Sequence, residues 1–271
     1  MKNFENVLIC TDLDGTLLGD DHLVSKENRE AIEYFKSEGG YFTFVTGRPP
    51  VIAGGIYDTI APNAPVGCFH GGAIYDFKAK EYRWCELMSL DIYDLLDDVC
   101  DNVADLGFQV NTTGPIYFCA ENAATENFRK ITGAPKIICH HREVPDPVVK
   151  IVFCGDEKNI ADVAAYVRSH PLASNFDLLK ADSTLFEIIV KGTHKGKAIP
   201  QITAALGISN EKTIAVGDYD NDVGMLREAK VGIAVANASP AARAAADRMT
   251  VSNREHAIAK IIYELEEGRI F

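Results

Sequence analysis

Positive charge, paired cysteines and long apolar runs are all scarce in this chain of 271 residues. Lys and Arg number 27 against 39 Asp and Glu, a formal net charge of -12 at pH 7. Such a deficit argues against a general binder of nucleic acid or of anionic membranes, since both need surplus cations. It leaves room for a small anionic ligand held by a few local cations. No apolar stretch approaches the roughly 20 residues of a membrane-spanning helix. The opening Met1-Lys2-Asn3-Phe4-Glu5 has no apolar signal core, so a cytoplasmic protein is expected. The seven cysteines, Cys10, Cys68, Cys85, Cys100, Cys119, Cys139 and Cys154, are odd in number, scattered and free of any CxxC pair. Free thiols in a reducing compartment follow more naturally than disulfides or a zinc site. Cys139-His140-His141 is the one local cluster of metal-binding types. Neighbours on a strand point to opposite faces, so it is expected on a surface or substrate-facing strand. No internal repeat, low-complexity tract or extended linker is present.

What remains is ordinary for a folded protein: 47% hydrophobic and 24% charged residues. The length allows one large domain or two unequal ones. The first informative stretch is Val7 to Thr16. An apolar run with the character of a buried parallel strand ends in Asp12 and Asp14, followed by Gly15 and Thr16. In open α/β sheets the carboxyl ends of strands border the ligand crevice. Two acids placed there repel each other unless a proton or a cation intervenes, and Mg2+ is a cation that favours carboxylate and phosphate oxygens. Asp, Gly and Thr are also common turn residues, so a plain strand-end turn remains an alternative at this point.

Strand and helix then alternate. Ser25 is positioned to cap a helix carrying Ala31, Ile32 and Phe35, and Tyr41 to Val45 reads as a strand that stops at Thr46-Gly47-Arg48-Pro49. A hydroxyl, a glycine amide and a guanidinium at a strand end could cradle an anion. From about residue 84 the texture changes to paired strands with two or three helices, including an amphipathic helix opened by Ser89, which suggests an α+β insert. Alternation resumes after Val190. Lys195-Gly196 leads into a helix in which Pro200 is tolerable only within the first turn. Thr213 to Val216 is another apolar strand, and it meets Gly217-Asp218-Tyr219-Asp220-Asn221-Asp222. Asp220 or Asp222 could cap a helix. Asp218, directly after the glycine, is the stronger ligand candidate. In a parallel sheet all these strand ends share one edge, so Asp12, Asp14, Thr46, Lys195, Asp218, Asn221 and Asp222 can converge.

This combination resembles the haloacid dehalogenase-like superfamily, and within it the Cof-type phosphatases that carry an α+β cap. The matching text is Asp12-Leu13-Asp14-Gly15-Thr16, Thr46-Gly47-Arg48, Lys195-Gly196 and Gly217 to Asp222, with Val235 to Ala238 beyond. The resemblance implies an α/β fold: a Rossmann-like, doubly wound parallel core over 1–83 and 188–271 with an inserted α+β cap over 84–187. It further implies that Asp12 attacks phosphorus and that Asp14 protonates the leaving alkoxide and later activates water. Asp12, the backbone carbonyl of Asp14, Asp218 and additionally Asp222 would hold Mg2+. Thr46, Gly47, Arg48, Lys195 and Asn221 would bind the phosphoryl group or the rest of the substrate. The expected partner is a small phosphorylated metabolite, such as a sugar phosphate, turned over by a monomer or weak homodimer. Arg48, His70, His140, His141, Arg142, Lys150 and Lys180 are further candidates to face the substrate. Such proteins often have Asn-Gly-Ala after the third strand, whereas this chain has Gly71-Gly72-Ala73 preceded by His70. The alternatives are a phosphosugar mutase on the same core and a noncatalytic, receiver-like phosphate-binding module.

Overall fold

The computed structural model describes residues 3–180 and 183–271. The part of the amino-terminal reading that concerns Met1 and Lys2 lies outside the described residues. In chain order the strands are β1 (Leu8–Thr11), β2 (Tyr41–Phe44), β3 (Val66–Cys68), β4 (Ala73–Asp76), β5 (Glu81–Cys85), β6 (Phe108–Thr112) and β7 (Ile116–Ala120). There follow β8 (Val148–Cys154), β9 (Phe176–Lys180), β10 (Leu185–Val190), β11 (Thr213–Gly217), β12 (Val231–Ala234) and β13 (Arg248–Met249). They belong to two compact units, Met1–Trp84 with His194–Phe271, and Cys85–Thr193.

The first unit is a doubly wound α/β fold. Its main sheet runs β13-β12-β11-β1-β2, with every pairing parallel. Leu8, Ile9 and Cys10 are fully buried, as a central strand covered on both faces must be, which is why β1 reads as an unbroken apolar run. The helix Lys26–Ser37 buries Ala31, Ile32 and Phe35, and the Ser25 hydroxyl accepts the Asn28 N–H at 3.2 Å. Asn28, buried on that helix, in turn accepts the Ala259 N–H at 3.0 Å and so ties it to the helix Ala257–Glu266. Pro200 lies in the first turn of Ala198–Leu206, where its missing N–H costs no helical bond. From β1 the chain moves to β2 on one side, and β11 returns on the other. That reversal of strand order is the topological switch point, so the carboxyl ends of β1 and β11 frame the crevice. A smaller sheet, β3-β4-β5, completes this unit.

The second unit is α+β. Its sheet, β7-β6-β8-β10-β9, has antiparallel pairing at every junction. One face carries Phe108, Val110, Ile151, Phe153, Phe186 and Ile188, which form a single core with Ile92, Leu95, Leu96 and Val99 of the helix Asp91–Asn102 and Ile160, Val163, Ala164 and Val167 of the helix Glu157–Ser169. Lys150 on β8 and Glu187 on β10 pair at 2.8 Å, both buried. A boundary at residue 187 would fall inside β10, which is registered to β8 from Leu185↔Cys154 to Ile189↔Lys150. The compact unit therefore continues to Thr193. Ser89 is not the cap of the first helix, which starts at Asp91 after Leu90.

His140 and His141 depart from the strand geometry expected of them. They begin the 3-10 turn His141–Glu143, and their rings stack at 4.3 Å instead of pointing apart. His141 is buried and contacts Asp97 at 2.6 Å, while Arg142 bridges Asp94 and Asp97. Burial pushes the His141 pKa down despite the Asp97 carboxylate beside it. These side chains are spent on binding their turn to the first helix of the unit. Among the described residues, no helix is long and apolar enough to cross a membrane.

Candidate active site

Asp12 sits one residue past β1, where its N–H extends the β1–β11 ladder by donating to the Val216 carbonyl at 2.9 Å. Asp218 follows Gly217 at the end of β11, so adjacent strands deliver these two acids to one place. Asp222 ends the 3-10 turn Asp220–Asp222 and folds back on the strand end. Its Oδ2 accepts the N–H groups of Asp218 at 2.9 Å and Tyr219 at 3.0 Å. Gly217 makes this return possible, since a Cβ there would lie 2.5 Å from the Cβ of Asp222.

Lys195 binds the group together. It is 1% exposed, and its Nζ donates to Asp12 Oδ1 and to Asp222 Oδ1, each at 2.6 Å. Ligand oxygens of Asp12, Asp218 and Asp222 lie within 4.8 Å of one another. Among the described residues no other group of acids, histidines and cysteines comes together this closely. Asp218 Oδ1 accepts the Thr16 hydroxyl at 2.7 Å.

Three carboxylates against one ammonium leave surplus negative charge in a place water barely reaches. Burial, followed by the repulsion of Asp222, pushes the Asp12 pKa up to about 7 even though Lys195 pulls the other way. Burial also raises the Asp218 pKa. Burial alone would lower that of Lys195, but Asp12 and Asp222 outweigh it and hold the ammonium charged. An all-oxygen donor set with uncompensated charge fits a hard divalent cation such as Mg2+. Asp12 and Asp218 could serve as its ligands. Asp222 has its oxygens engaged by Lys195 and two backbone amides, which suits it better to fixing the lysine and the turn.

The other predicted residues surround this cluster. Both oxygens of Asp14 accept from Arg48 Nη2 at 2.8 Å, with His22 Nδ1 at 3.6 Å. Arg48, read from the sequence as a substrate ligand, is therefore paired with the second aspartate of its own site. Thr46 is buried at the end of β2, and its hydroxyl accepts the Arg48 N–H at 3.3 Å. Gly47 is half-buried beside it, and Asn221 is exposed on the Asp220–Asp222 turn. Sequence reasoning missed the bond from Thr16 to Asp218, although the hydroxyl stands directly after Gly15. Asn237 stands in the Val235 to Ala238 segment of the resemblance, but its bond was not foreseen: Nδ2 donates to the Gly15 carbonyl at 2.8 Å.

Gly15 has φ +81°, and a Cβ there would lie 2.5 Å from Asp218 Oδ2. Gly15→Ala therefore brings a left-handed penalty of about 1–2 kcal/mol and displaces an acid of the cluster. The expected result is a loss of Mg2+ affinity of roughly tenfold or more, the scale seen when the support of a metal ligand is disturbed. Calorimetric titration with Mg2+ checks it.

A crevice at the switch point of a doubly wound α/β sheet is thus lined by acids from adjacent parallel strand ends and a lysine they share. Residues 9–262 match the haloacid dehalogenase-like hydrolase family, and the chain belongs to that family. It is 26% identical to the 5-amino-6-(5-phospho-D-ribitylamino)uracil phosphatase YitU of Bacillus subtilis, over 95% of this chain and 96% of that protein. It is 27% identical to the pyridoxal phosphate phosphatase YbhA of Escherichia coli, over 94% of this chain and 97% of that protein. A haloacid dehalogenase-like hydrolase from Bacteroides thetaiotaomicron shares the fold, with a TM-score of 0.84, 21% identity and coverage of 97% of this chain and 99% of that one. The chain is accordingly an enzyme, a phosphoric monoester hydrolase of this family.

Proposed function

We propose that this enzyme is a Mg2+-dependent phosphatase that cleaves a small phosphorylated metabolite, such as a sugar phosphate, through an aspartyl-phosphate. The observation that carries the proposal is the buried Lys195 shared between Asp12 and Asp222 at 2.6 Å, with an Asp218 oxygen within 4.8 Å of the other two carboxylates. Asp12 and Asp218 would hold the ion, which supplies positive charge to mask the phosphoryl oxygens. Lys195 takes Oδ1 of Asp12, leaving Oδ2 to attack phosphorus. As that O–P bond forms, the ester P–O bond breaks, and Asp14 gives a proton to the departing alkoxide. Asp14 then takes a proton from the water that cleaves the aspartyl-phosphate and frees inorganic phosphate. Thr46, Gly47, Lys195 and Asn221 would hold the phosphoryl oxygens.

Arg48 gives this scheme a gate. While its guanidinium occupies both oxygens of Asp14, that carboxyl group is engaged and not free to face a leaving group. An incoming phosphoryl group competes for the guanidinium and would release the acid when substrate is present. The unit spanning residues 85–193 is assigned the role of a cap that selects among esters. Phosphate release from a panel of phosphorylated metabolites, with Mg2+ and with EDTA, tests the proposal. Release that stops in EDTA is expected. Equal release in EDTA would remove the metal from the scheme, turnover of a phosphoprotein alone would overturn the small substrate, and isomerised phosphosugar without free phosphate would decide for a mutase.

A further inference from the structure

The connection from β3 to β4 holds the one place among the described residues where three successive residues have positive φ: Phe69, His70 and Gly71, at 51°, 57° and 86°. Two of them are not glycine, and left-handed backbone persists at such residues only where the surroundings fix it. The Phe69 N–H donates to the Arg48 carbonyl at 3.2 Å and the His70 N–H to the Thr46 carbonyl at 2.9 Å. Both bonds go to the Thr46–Arg48 loop. The far side of the turn presses on the lysine turn, where a Cβ on Gly71 would lie 2.5 Å from the His194 carbonyl oxygen and 2.9 Å from Lys195 Cα. The segment is thus clamped between the two loops assigned to the phosphoryl group.

The His70 side chain, buried within this clamp, lies on Gly47. A Cβ at Gly47 would stand 2.4 Å from His70 Cε1, 2.6 Å from Nε2 and 3.0 Å from Nδ1. Gly47 itself is not in the left-handed region, so its backbone shape would accept a side chain. The imidazole is what excludes one. We propose that His70 is a positioning residue: its ring, wedged against Gly47, sets the distance between the Gly47 peptide and the Lys195 turn and so fixes the width of the phosphoryl cradle. This rests on the phosphatase reading and extends it, because sequence patterns gave His70 no role beyond a general substrate-facing candidate.

The test separates the ring from the turn. Asn is among the non-glycine residues that best accept left-handed φ, so His70→Asn keeps the turn while removing Cε1 and Nε2, the two atoms nearest Gly47. With the full chain in Mg2+, inorganic phosphate binding by calorimetry is expected to weaken roughly tenfold, and KM to rise similarly with kcat within about twofold, as when uniform binding is lost. Tm is expected to stay unchanged. A fall in Tm with phosphate affinity intact would mean a structural role only and would overturn the inference.

A second variant makes the test independent of that one. Gly47→Ala alone collides with the ring and is expected to cost roughly a hundredfold in phosphate affinity, whereas in the His70→Asn background the same change costs less than about threefold, the non-additivity expected of residues in contact. Additive losses in a chain that otherwise hydrolyses esters would sink the inference and leave the phosphatase reading standing. Failure of the unaltered chain to release phosphate from any ester would sink the reading itself and this inference with it.

Discussion

Asp12→Asn is expected to release no measurable phosphate from any ester the native chain cleaves, a loss of at least about a thousandfold, while the protein still folds. Asp12 both accepts from Lys195 and belongs to the acid cluster, so the amide removes the attacking oxygen and a candidate metal ligand in one step. Stability responds in the opposite sense. The pKa of Asp12 is raised in the folded chain to about 7, above the ordinary aspartate value near 4. Between those values the folded chain keeps a proton that the unfolded chain has lost. The stabilisation from Asp12 is therefore fully present below about pH 4 and lost as the pH rises through about 7. Asn cannot ionise, so in EDTA the Tm of Asp12→Asn should fall less than that of the native chain between about pH 5 and 8. Added Mg2+ should restore the native chain and do much less for the variant. Phosphate release and thermal melts across pH check both parts, and retained turnover would refute the nucleophile assignment.

Lys195→Met should produce the largest loss of stability of any single change in the site. The ammonium is fully buried and is the counter-ion for two carboxylates that are themselves buried. Removing one member of such a group leaves charge without compensation and costs about 3–5 kcal/mol, far more than an exposed pair is worth. Urea denaturation measures it. Lys195→Arg should not rescue the site, since a forked guanidinium does not fit a niche shaped for a point charge. Native-like stability for Lys195→Met would show that the three acids are not held by this one cation.

The gathering of Asp12, Lys195, Asp218 and Asp222 was legible in the sequence for a definite reason. Each stands at a strand end or the start of a helical turn, and a doubly wound parallel sheet brings such positions to one edge regardless of how many residues separate them. What escaped was pairing decided by geometry. Arg48 and Asp14 were each conspicuous, yet no spacing rule says that a guanidinium at the end of β2 will seek the second acid beyond β1. The imidazole of His70 resting on Gly47 depends on three successive left-handed residues, and only one of those is a glycine. In the insert, periodicity identifies strands without naming their partners, and so a boundary at residue 187 falls inside β10. Strand alternation does not apply to His140 and His141, because a 3-10 turn does not obey it.

The place of β1 between β2 and β11 has a consequence for synthesis. Its hydrogen bonds to β2 can form once about 40 residues have emerged, but its other edge waits for Thr213–Gly217. At about 5–20 residues per second, a gap of roughly 200 residues leaves that apolar edge open for about 10–40 s on the ribosome. A bare strand edge is a template for pairing with other chains. The nascent polypeptide is therefore most vulnerable to aggregation in that interval, before β11 emerges to close the sheet.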